Sequence, residues 1–251
     1  METEANVELA QQDAVQWLAS LETESLDLLV TDPPYESLEK HRAIGTTTRL
    51  KVSAGSSNPW FTVFPNARFA ELFAQVYRVL KRNSHFYLMC DQETAFIAKP
   101  IAEAAGFKFW KPLIWDKVTI GMGYHYRARY EFVLFFEKGK RKLNDLGIAD
   151  VITVPRVRGG YPAEKPSALS ETLILQSSVS GDLVADPFMG SGSVGVAALK
   201  LGRRFLGNDV SDSALAYARN RFSQIGGHEG ILRSGDAASR AGQRRLSLVL
   251  P

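Results

Sequence analysis

The stretch Leu183–Lys200, LVADPFMGSGSVGVAALK, decides the fold class of this 251-residue chain. A short apolar run ends at Asp186, a glycine-rich turn follows, and small apolar residues then continue at helical spacing. Strand, turn and helix in that order are typical of α/β folds. The turn satisfies the spacing G-x-G-x-x-G with Gly190, Gly192 and Gly195. By spacing alone, a dinucleotide site is predicted, with Asp209 at the end of the next strand on the ribose hydroxyls.

The rest of the chain repeats this alternation. Apolar runs of strand length alternate with helical patterns almost throughout, which predicts an α/β fold with a doubly wound, mainly parallel sheet. Neither an internal repeat nor a linker divides the sequence, so residues 1–251 are predicted to form a single domain. Within it, the polar segment 36–60 has no clear period and is long for a loop, as binding loops often are. The basic segment 227–251 is predicted to be a loosely held tail.

Composition excludes several classes of protein. Apolar and charged fractions of 45% and 23% are those of an ordinary globular protein. The single cysteine, Cys90, rules out an internal disulfide and lies in an apolar run, which predicts a buried core residue. The four histidines lie far apart in the sequence, so no metal site is expected. We find no signal peptide and no apolar run of membrane-spanning length, and therefore expect a cytoplasmic protein without a membrane partner.

The net charge of +3 is unevenly distributed along the chain. Between Lys99 and Lys142 there are ten Lys or Arg residues and four Asp or Glu residues, a local excess of about six positive charges. Such an excess favours contacts with nucleic-acid phosphates slightly over an ordinary solvated face.

Asp186 argues against a dinucleotide. Its carboxylate lies at the mouth of the glycine turn, where it would repel the pyrophosphate that a helix N-terminus attracts. A ligand that is cationic at that end is favoured instead. S-adenosylmethionine carries an ammonium and a sulfonium and has no phosphate. A nicotinamide-dependent oxidoreductase stays as an alternative, as does an Asp-Pro turn with no binding role.

A second unusual stretch, Thr31–Tyr35 (TDPPY), follows the apolar run LDLLV directly. Two consecutive prolines stop a strand because neither can donate a backbone hydrogen bond. On these residues alone, the stretch is either a stiff turn or a functional site.

Together the two stretches resemble the DNA amino-methyltransferases. The cofactor motif of that family is similar to Asp186–Gly192, and its catalytic motif is similar to Asp32–Tyr35. The catalytic motif comes first in this chain, which resembles the permuted beta group of those enzymes. The resemblance covers roughly residues 7 to 222 and implies a Rossmann-like methyltransferase fold with S-adenosylmethionine as cofactor.

The resemblance implies roles for residues that match the family motifs. The implied catalytic residues are Asp32, Pro33, Pro34 and Tyr35. The implied cofactor-binding residues are Asp13, Ala14, Lys165, Asp186, Pro187, Phe188, Gly190, Ser191, Gly192 and Asp209. Phe188 would pack on the cofactor, Gly190 and Gly192 would allow close backbone approach, and Asp209 would hold the ribose.

The sequence departs from the family pattern at several of these positions. Gln12 replaces a usual glycine before Asp13, and a second Gly-Asp-Ala occurs at Gly235–Ala237, although chain order favours the first. Asp209 stands where Glu is common. YPAEKP replaces the commoner HPTEKP, which makes Lys165 the least secure of the set.

The implied chemistry is methyl transfer to the exocyclic amine of a base. Asp32 and the main-chain carbonyl of Pro33 would each accept a hydrogen bond from that amine and free its lone pair, and Tyr35 would stack on the base. The base must be flipped out of the duplex. Within the family, Asp at the first motif position goes mostly with the N6 amine of adenine.

Contacts with DNA are expected from the loop 36–60 and from a Tyr- and Arg-rich turn. The candidate residues of the turn are Tyr124, Tyr126, Arg127 and Arg129. The sequence thus predicts a DNA adenine N6-methyltransferase of the restriction-modification type, with a homodimer as a further implication. The alternatives are a cytosine N4-methyltransferase, an RNA or protein amide methyltransferase, the oxidoreductase, and a DNA-binding module without catalysis.

Overall fold

The computed structural model describes residues 6–37, 62–121, 125–225 and 232–235, which form a nine-stranded sheet with flanking helices. The strands are β1 Val7–Ala10, β2 Leu26–Thr31, β3 Leu80–Cys90, β4 Lys108–Asp116, β5 Tyr130–Lys138, β6 Val151–Thr153, β7 Leu183–Asp186, β8 Arg204–Asn208 and β9 Leu232–Gly235. The helices are α1 Ala14–Ser20, α2 Phe69–Val79, α3 Gln92–Ala104, α4 Ser167–Ser177, α5 Ser193–Lys200 and α6 Asp212–Ile225.

The sheet has the strand order β6-β4-β5-β3-β2-β7-β8-β1-β9. Every neighbouring pair is parallel except the two that involve β5, which runs antiparallel to both β3 and β4. The predicted mainly parallel α/β sheet is confirmed. Because β5 is reversed, its first residues lie at the same edge of the sheet as the last residues of β2, β3 and β7. That edge is where ligands bind in open α/β sheets.

Two apolar clusters bury the two faces of the sheet. The α2 helix shows how the sequence builds one of them. Its apolar residues recur at helical spacing, so one stripe of the helix packs against the sheet and is fully buried: Phe69, Leu72, Phe73, Val76 and Val79. Cys90, at the end of β3, has no exposed surface, which confirms that it is a core residue.

The prediction of a loosely held tail over residues 227–251 needs correction, and most of the predicted binding loop 36–60 is not among the described residues. Residues 232–235 form the edge strand β9 beside β1, so at least this part of the segment 227–251 belongs to the sheet. A parallel ladder with β1 supplies partners that a free tail lacks. Only residues 36 and 37 of the predicted binding loop 36–60 are among the described residues.

The run of positive charge between Lys99 and Lys142 does not form one basic face. The registers of β4 and β5 place Lys108 and Lys138 at the edge opposite the ends of β2 and β7. Five of the ten cations are engaged in ion pairs with carboxylates: Lys99, Lys111, Lys117, Arg129 and Lys138. A charge excess counted along the chain therefore overstates the cationic surface available to a phosphate backbone.

The described residues contain neither a membrane-spanning helix nor a cluster of metal ligands. None of their helices is both long and apolar enough to cross a bilayer. The same residues contain no group of three or more His, Cys, Asp or Glu side chains arranged to hold a metal ion.

Candidate active site

A cavity of about 350 Å³ opens at the edge of the sheet where β2 and β7 end. This volume is within the range of small-molecule sites. Every predicted catalytic and cofactor-binding residue except Gly192 lines it: Asp13, Ala14, Asp32, Pro33, Pro34, Tyr35, Lys165, Asp186, Pro187, Phe188, Gly190, Ser191 and Asp209. The fold thus brings two motifs that lie far apart in the sequence to a single cavity, while the roles of these residues stay predictions.

The turn after β2 is held rigidly. The N–H of Phe64 donates to the carbonyl of Pro34 at 2.7 Å, and Tyr35 forms an isolated parallel bridge with Phe64. The hydroxyl of Tyr35 donates to Asp32 Oδ1 at 3.0 Å. Among the described residues, no group donates to the carbonyl of Pro33. That carbonyl is therefore a preorganised acceptor without a partner in this part of the chain.

A hydrogen bond joins the catalytic strand to the cofactor strand. The hydroxyl of Thr31, at the end of β2, donates to Asp186 Oδ1 at 2.6 Å, and the N–H of Phe188 donates to the same oxygen at 3.0 Å. Asp186 is only 2% exposed. Burial raises the pKa of Asp186 to about 7, although both hydrogen bonds favour the ionised form. A cationic ligand beside Asp186 would therefore stabilise the ionised form of this carboxylate.

The predicted cofactor-binding residue Asp13 has two structural roles. Its Oδ1 caps α1 by accepting from two backbone N–H groups of the first turn. Both of its oxygens accept from the guanidinium of Arg68, at 2.6 and 2.9 Å. Hydrogen bonding to Arg68 holds the pKa of Asp13 below its usual range, so this carboxylate stays ionised. Arg68 is a cavity residue that the sequence reading missed.

Aromatic rings form one wall of the cavity. The rings of Phe64 and Phe188 meet edge to face with centroids 5.0 Å apart, and the guanidinium of Arg68 lies 5.1 Å from the centroid of Phe64. The contact with Phe64 therefore holds the ring of Phe188 at the cavity wall, where it can pack on a cofactor.

The buried amide of Asn208 fastens two loops of the cavity to each other. Its Nδ2 donates to the carbonyls of Gln12 and Pro187 at 3.0 and 3.1 Å, and its Oδ1 accepts from the N–H of Gln12 at 3.1 Å. Gln12 is not among the residues with positive φ. Its position therefore does not require the glycine that is usual in the family.

Asp209 follows β8 and faces the glycine turn. It accepts from the N–H of Gly190 at 2.9 Å through Oδ2 and from the N–H of Ser211 at 2.9 Å through Oδ1. Burial raises the pKa of Asp209, against the effect of these two donors. Each carboxylate oxygen has a further lone pair, so Asp209 can still accept from a hydroxyl in the cavity.

Close approach to a cofactor does not explain why residue 192 is a glycine. It does not line the cavity, and its φ of +75° is strained for other residues. A Cβ there would come within 2.8 Å of Phe222 Cζ. Gly190 does line the cavity, and a Cβ there would meet only Tyr161 Cε1, at 3.9 Å. The expectation of close cofactor approach therefore fits Gly190, whereas Gly192 serves the turn and the packing of α6.

A tight turn places Lys165 in the cavity. Glu164 accepts from the N–H of Tyr161 at 3.1 Å and from the hydroxyl of Tyr217 at 3.2 Å, and its other oxygen pairs with Arg221 at 3.1 Å. The carbonyl of Lys165 accepts from the hydroxyl of Ser193 at 2.6 Å. Lys165 is thus positioned in the cavity despite the departure of YPAEKP from the commoner motif.

Lys165 belongs to a group of four charged side chains that we call the ion cluster: Asp32, Lys117, Glu131 and Lys165. The ammonium of Lys165 donates to Asp32 Oδ2 and lies 3.4 Å from Glu131 Oε2. The ammonium of Lys117 donates to Glu131 Oε1 at 3.1 Å. With every member ionised, two positive and two negative charges balance.

Burial acts against every charge at the centre of the ion cluster. Burial raises the pKa of Asp32, and the opposing effect of Lys165 does not reverse the shift. Burial also raises the pKa of Glu131, but Lys165 and Lys117 outweigh it and hold that pKa below its usual range. Burial lowers the pKa of Lys165, yet the two carboxylates raise it overall. Lys165 therefore stays positively charged.

The cavity as a whole is acidic. Seven carboxylate side chains line it: Asp13, Asp32, Asp91, Glu131, Glu164, Asp186 and Asp209. Only two cationic side chains do so among the described residues, Arg68 and Lys165. Such a lining attracts a cationic ligand and disfavours a pyrophosphate.

The described members of the predicted DNA-contacting set, Tyr126, Arg127 and Arg129, do not line the cavity. Tyr124 is not among the described residues. Tyr126 and Arg127 are exposed in the turn between β4 and β5. The guanidinium of Arg129 makes a two-bond pair with Asp116, at 2.7 and 2.8 Å. Arg129 is therefore less available to DNA than expected. The β4–β5 pairing places this turn at the same edge of the sheet as the cavity.

Comparison with known proteins gives a family. The family model described as DNA methylase, of the N6/N4 type, matches residues 26–156 and 147–220. A curated relative is the DNA adenine methyltransferase YhdJ of Escherichia coli, which is 26% identical over 83% of this chain and 80% of its own length.

Two solved structures share the fold. A putative DNA modification methylase from Thermus thermophilus, complexed with S-adenosyl-L-methionine, has a TM-score of 0.67 and 21% identity, covering 91% of this chain and 99% of that one. The cytosine-N4-specific PvuII DNA methyltransferase has a TM-score of 0.68 and 16% identity, covering 89% of this chain and 93% of that one.

Proposed function

The chain belongs to the N6/N4 DNA methylase family, and on this premise we propose that it transfers a methyl group from S-adenosylmethionine to the N6 amine of a flipped adenine in DNA. The observation that carries the proposal is the shared cavity. One side of it holds rigid acceptors for an amine, Asp32 and the carbonyl of Pro33, and the other side holds the acidic cofactor loop. The hydrogen bond from Thr31 to Asp186 links the two sides.

The residues of the cavity fit S-adenosylmethionine. Seven carboxylates against two cations suit a ligand that carries an ammonium and a sulfonium. When bound, this cofactor supplies an electrophilic methyl group, and the electron pair of the S–C bond stays on sulfur. The residues that would hold it are Asp13, Ala14, Lys165, Asp186, Pro187, Phe188, Gly190, Ser191 and Asp209. The oxidoreductase alternative is disfavoured because the same carboxylates would surround a pyrophosphate.

The catalytic turn prepares the amine for attack. An exocyclic amine is a poor nucleophile because its lone pair is delocalised into the ring. Two acceptors fixed by the Asp-Pro-Pro backbone, Asp32 and the carbonyl of Pro33, draw the amine toward a tetrahedral geometry. When the amine takes the methyl group that S-adenosylmethionine would supply, it would release one proton, and the carboxylate of Asp32, already its hydrogen-bond acceptor, would receive that proton.

Adenine is favoured over cytosine by the first residue of the catalytic turn. Asp32 matches the form of the motif that goes mostly with adenine, and the relative YhdJ is named as an adenine methyltransferase. The alternative is transfer to cytosine N4. It is supported by the family model, which spans both base types, and by the similar fold of a cytosine-N4-specific enzyme.

Sequencing of DNA from cells that express the protein tests the proposal. Modification-sensitive reads are expected to give N6-methyladenine at one short recurring sequence and unmodified adenine elsewhere. Cells with an empty vector are the control. N4-methylcytosine would establish the alternative, and DNA without any new methylated base would contradict both.

The raised pKa of Asp186 gives a pH-dependent prediction for cofactor binding. A cation binds the ionised carboxylate, and with a pKa of about 7 the ionised fraction is about one tenth at pH 6 and about three quarters at pH 7.5. The affinity for S-adenosylmethionine should therefore be about eightfold weaker at pH 6 than at pH 7.5. Isothermal titration calorimetry at the two pH values measures the ratio.

The variant Asp186→Asn is the control for this prediction. Its side chain keeps the shape but does not titrate, so affinity should be weaker than that of the wild type at pH 7.5 and nearly equal at the two pH values. An eightfold ratio that persists in Asp186→Asn would assign the pH dependence to another group. Asp209 is the first alternative, because burial raises its pKa as well.

A further inference from the structure

One buried carboxylate oxygen in the ion cluster has no hydrogen-bond donor among the described residues. It is Oε2 of Glu131, at the beginning of β5. The other oxygen of the same carboxylate, Oε1, accepts from Lys117. An unsatisfied buried acceptor costs free energy, so its presence in a site calls for an explanation.

A cation beside this oxygen already donates a hydrogen bond to another carboxylate. The ammonium of Lys165 donates to Asp32 and lies 3.4 Å from Glu131 Oε2. A hydrogen bond of usual length needs about 2.8–2.9 Å, so a displacement of well under about 1 Å would complete it. Lys165 thus has two carboxylates within reach and bonds to one of them.

The carboxylate that Lys165 occupies is the one the substrate amine needs. Oδ1 of Asp32 accepts from Tyr35, and Oδ2 accepts from Lys165. Contact with an ammonium neutralises much of the charge that makes a carboxylate a strong acceptor. An incoming amine therefore competes with Lys165 for Asp32.

We propose that Glu131, held by Lys117, is a positioning residue that takes Lys165 away from Asp32 when the target amine enters. The amine then donates to Asp32, and Lys165 donates to Glu131 Oε2. The site gains one hydrogen bond, because Asp32 exchanges one donor for another and the unsatisfied oxygen of Glu131 gains a donor. The inference rests on the proposed function, since it assigns a role in the amine site.

Charge balance makes Glu131 the suitable partner. The ion cluster stays neutral while Lys165 moves, so no uncompensated charge is left buried. In Glu131→Gln, only Asp32 would remain as a carboxylate partner for Lys165. The pair would tighten, and the amine would have to displace a stronger contact.

The test compares Glu131→Gln, Glu131→Asp and the wild type in single-turnover methyl transfer. The substrate is a duplex that carries the sequence found by the sequencing experiment, at saturating S-adenosylmethionine and DNA. We expect the rate to fall at least about tenfold in Glu131→Gln and to recover in part in Glu131→Asp. The affinity for S-adenosylmethionine, measured by calorimetry, should change less than about twofold. Glu103→Gln, which removes an exposed ion pair with Lys99 on α3, is the matched control.

A second measurement separates positioning from a merely structural role. Binding to the duplex is compared for target adenine and for a target purine that lacks the amine. Because purine does not compete for Asp32, Glu131→Gln should weaken binding to the adenine duplex alone. Equal weakening for both duplexes, or a Glu131→Gln rate within about twofold of the wild type, would overturn the inference. A wild type without any methyl transfer would instead contradict the proposed function, and the inference with it.

Discussion

Asp32→Ala is expected to lower the rate of methyl transfer to DNA by about 10³-fold while the protein still binds S-adenosylmethionine. The loss is large because Asp32 is one of the two acceptors proposed for the amine, and the backbone of the turn fixes both. Alanine leaves the carbonyl of Pro33 in position but removes the charged partner. The measurement is single-turnover transfer of a labelled methyl group to duplex DNA.

Retention of the cofactor is the control for this variant. The hydrogen bond from Thr31 to Asp186 does not involve Asp32, so the cofactor side of the cavity should persist. Lys165 loses one carboxylate but keeps Glu131 beside it. We expect the calorimetric affinity for S-adenosylmethionine to change by less than about fivefold, or about 1 kcal/mol. A variant that methylates DNA at near the wild-type rate would remove Asp32 from the mechanism.

The parts of the site that the sequence predicted are local. Asp32 and Asp186 each end a strand, and parallel neighbouring strands end at the same edge of a sheet. Two motifs about 150 residues apart could therefore be assigned to one cavity once both strands were recognised. The roles of the individual residues stay predictions, but their convergence on one cavity is a property of the fold.

The parts that were missed depend on pairing between distant segments. Glu131 reaches the cavity because β5 is antiparallel to both of its neighbours, and nothing in its local sequence fixes that direction. Arg68 reaches it because a short turn before α2 meets the cap of α1. A signal did exist for Glu131, which is an acidic residue at the start of a strand that is otherwise mostly apolar.

The glycine turn shows how one spacing can serve two purposes. The family resemblance implied close backbone approach to a cofactor at Gly190 and Gly192, but only Gly190 lines the cavity. Gly195 lies in the first turn of α5 and faces Phe205 and Phe222. Gly192 and Gly195 are therefore explained by the close packing of helices and strands behind the turn. Dinucleotide-binding sequences with the same spacing also need a glycine for close helix–strand packing.

Gly195→Ala is accordingly expected to destabilise the fold by about 3 kcal/mol. A Cβ at this position would come within 2.5 Å of Phe222 Cζ and 2.6 Å of Phe205 Cε1. Both rings are buried, so neither can swing into solvent. Local preference predicts the opposite sign, because alanine is favoured over glycine inside a helix by about 1 kcal/mol. The free energy of unfolding in urea decides between the two.

A double-mutant cycle with Phe222→Leu identifies the clash as the cause. A smaller side chain at position 222 removes one of the two contacts, so Gly195→Ala should cost clearly less in that background, with an interaction energy of at least about 1 kcal/mol. Asn220→Ala, on the exposed face of α6, is the control for helix preference and should be neutral or slightly stabilising. If Gly195→Ala were stabilising too, or equally costly with and without Phe222, the packing behind the turn would not explain this glycine. A requirement of the cavity, and not helix packing, would then be the reason for glycine at position 195.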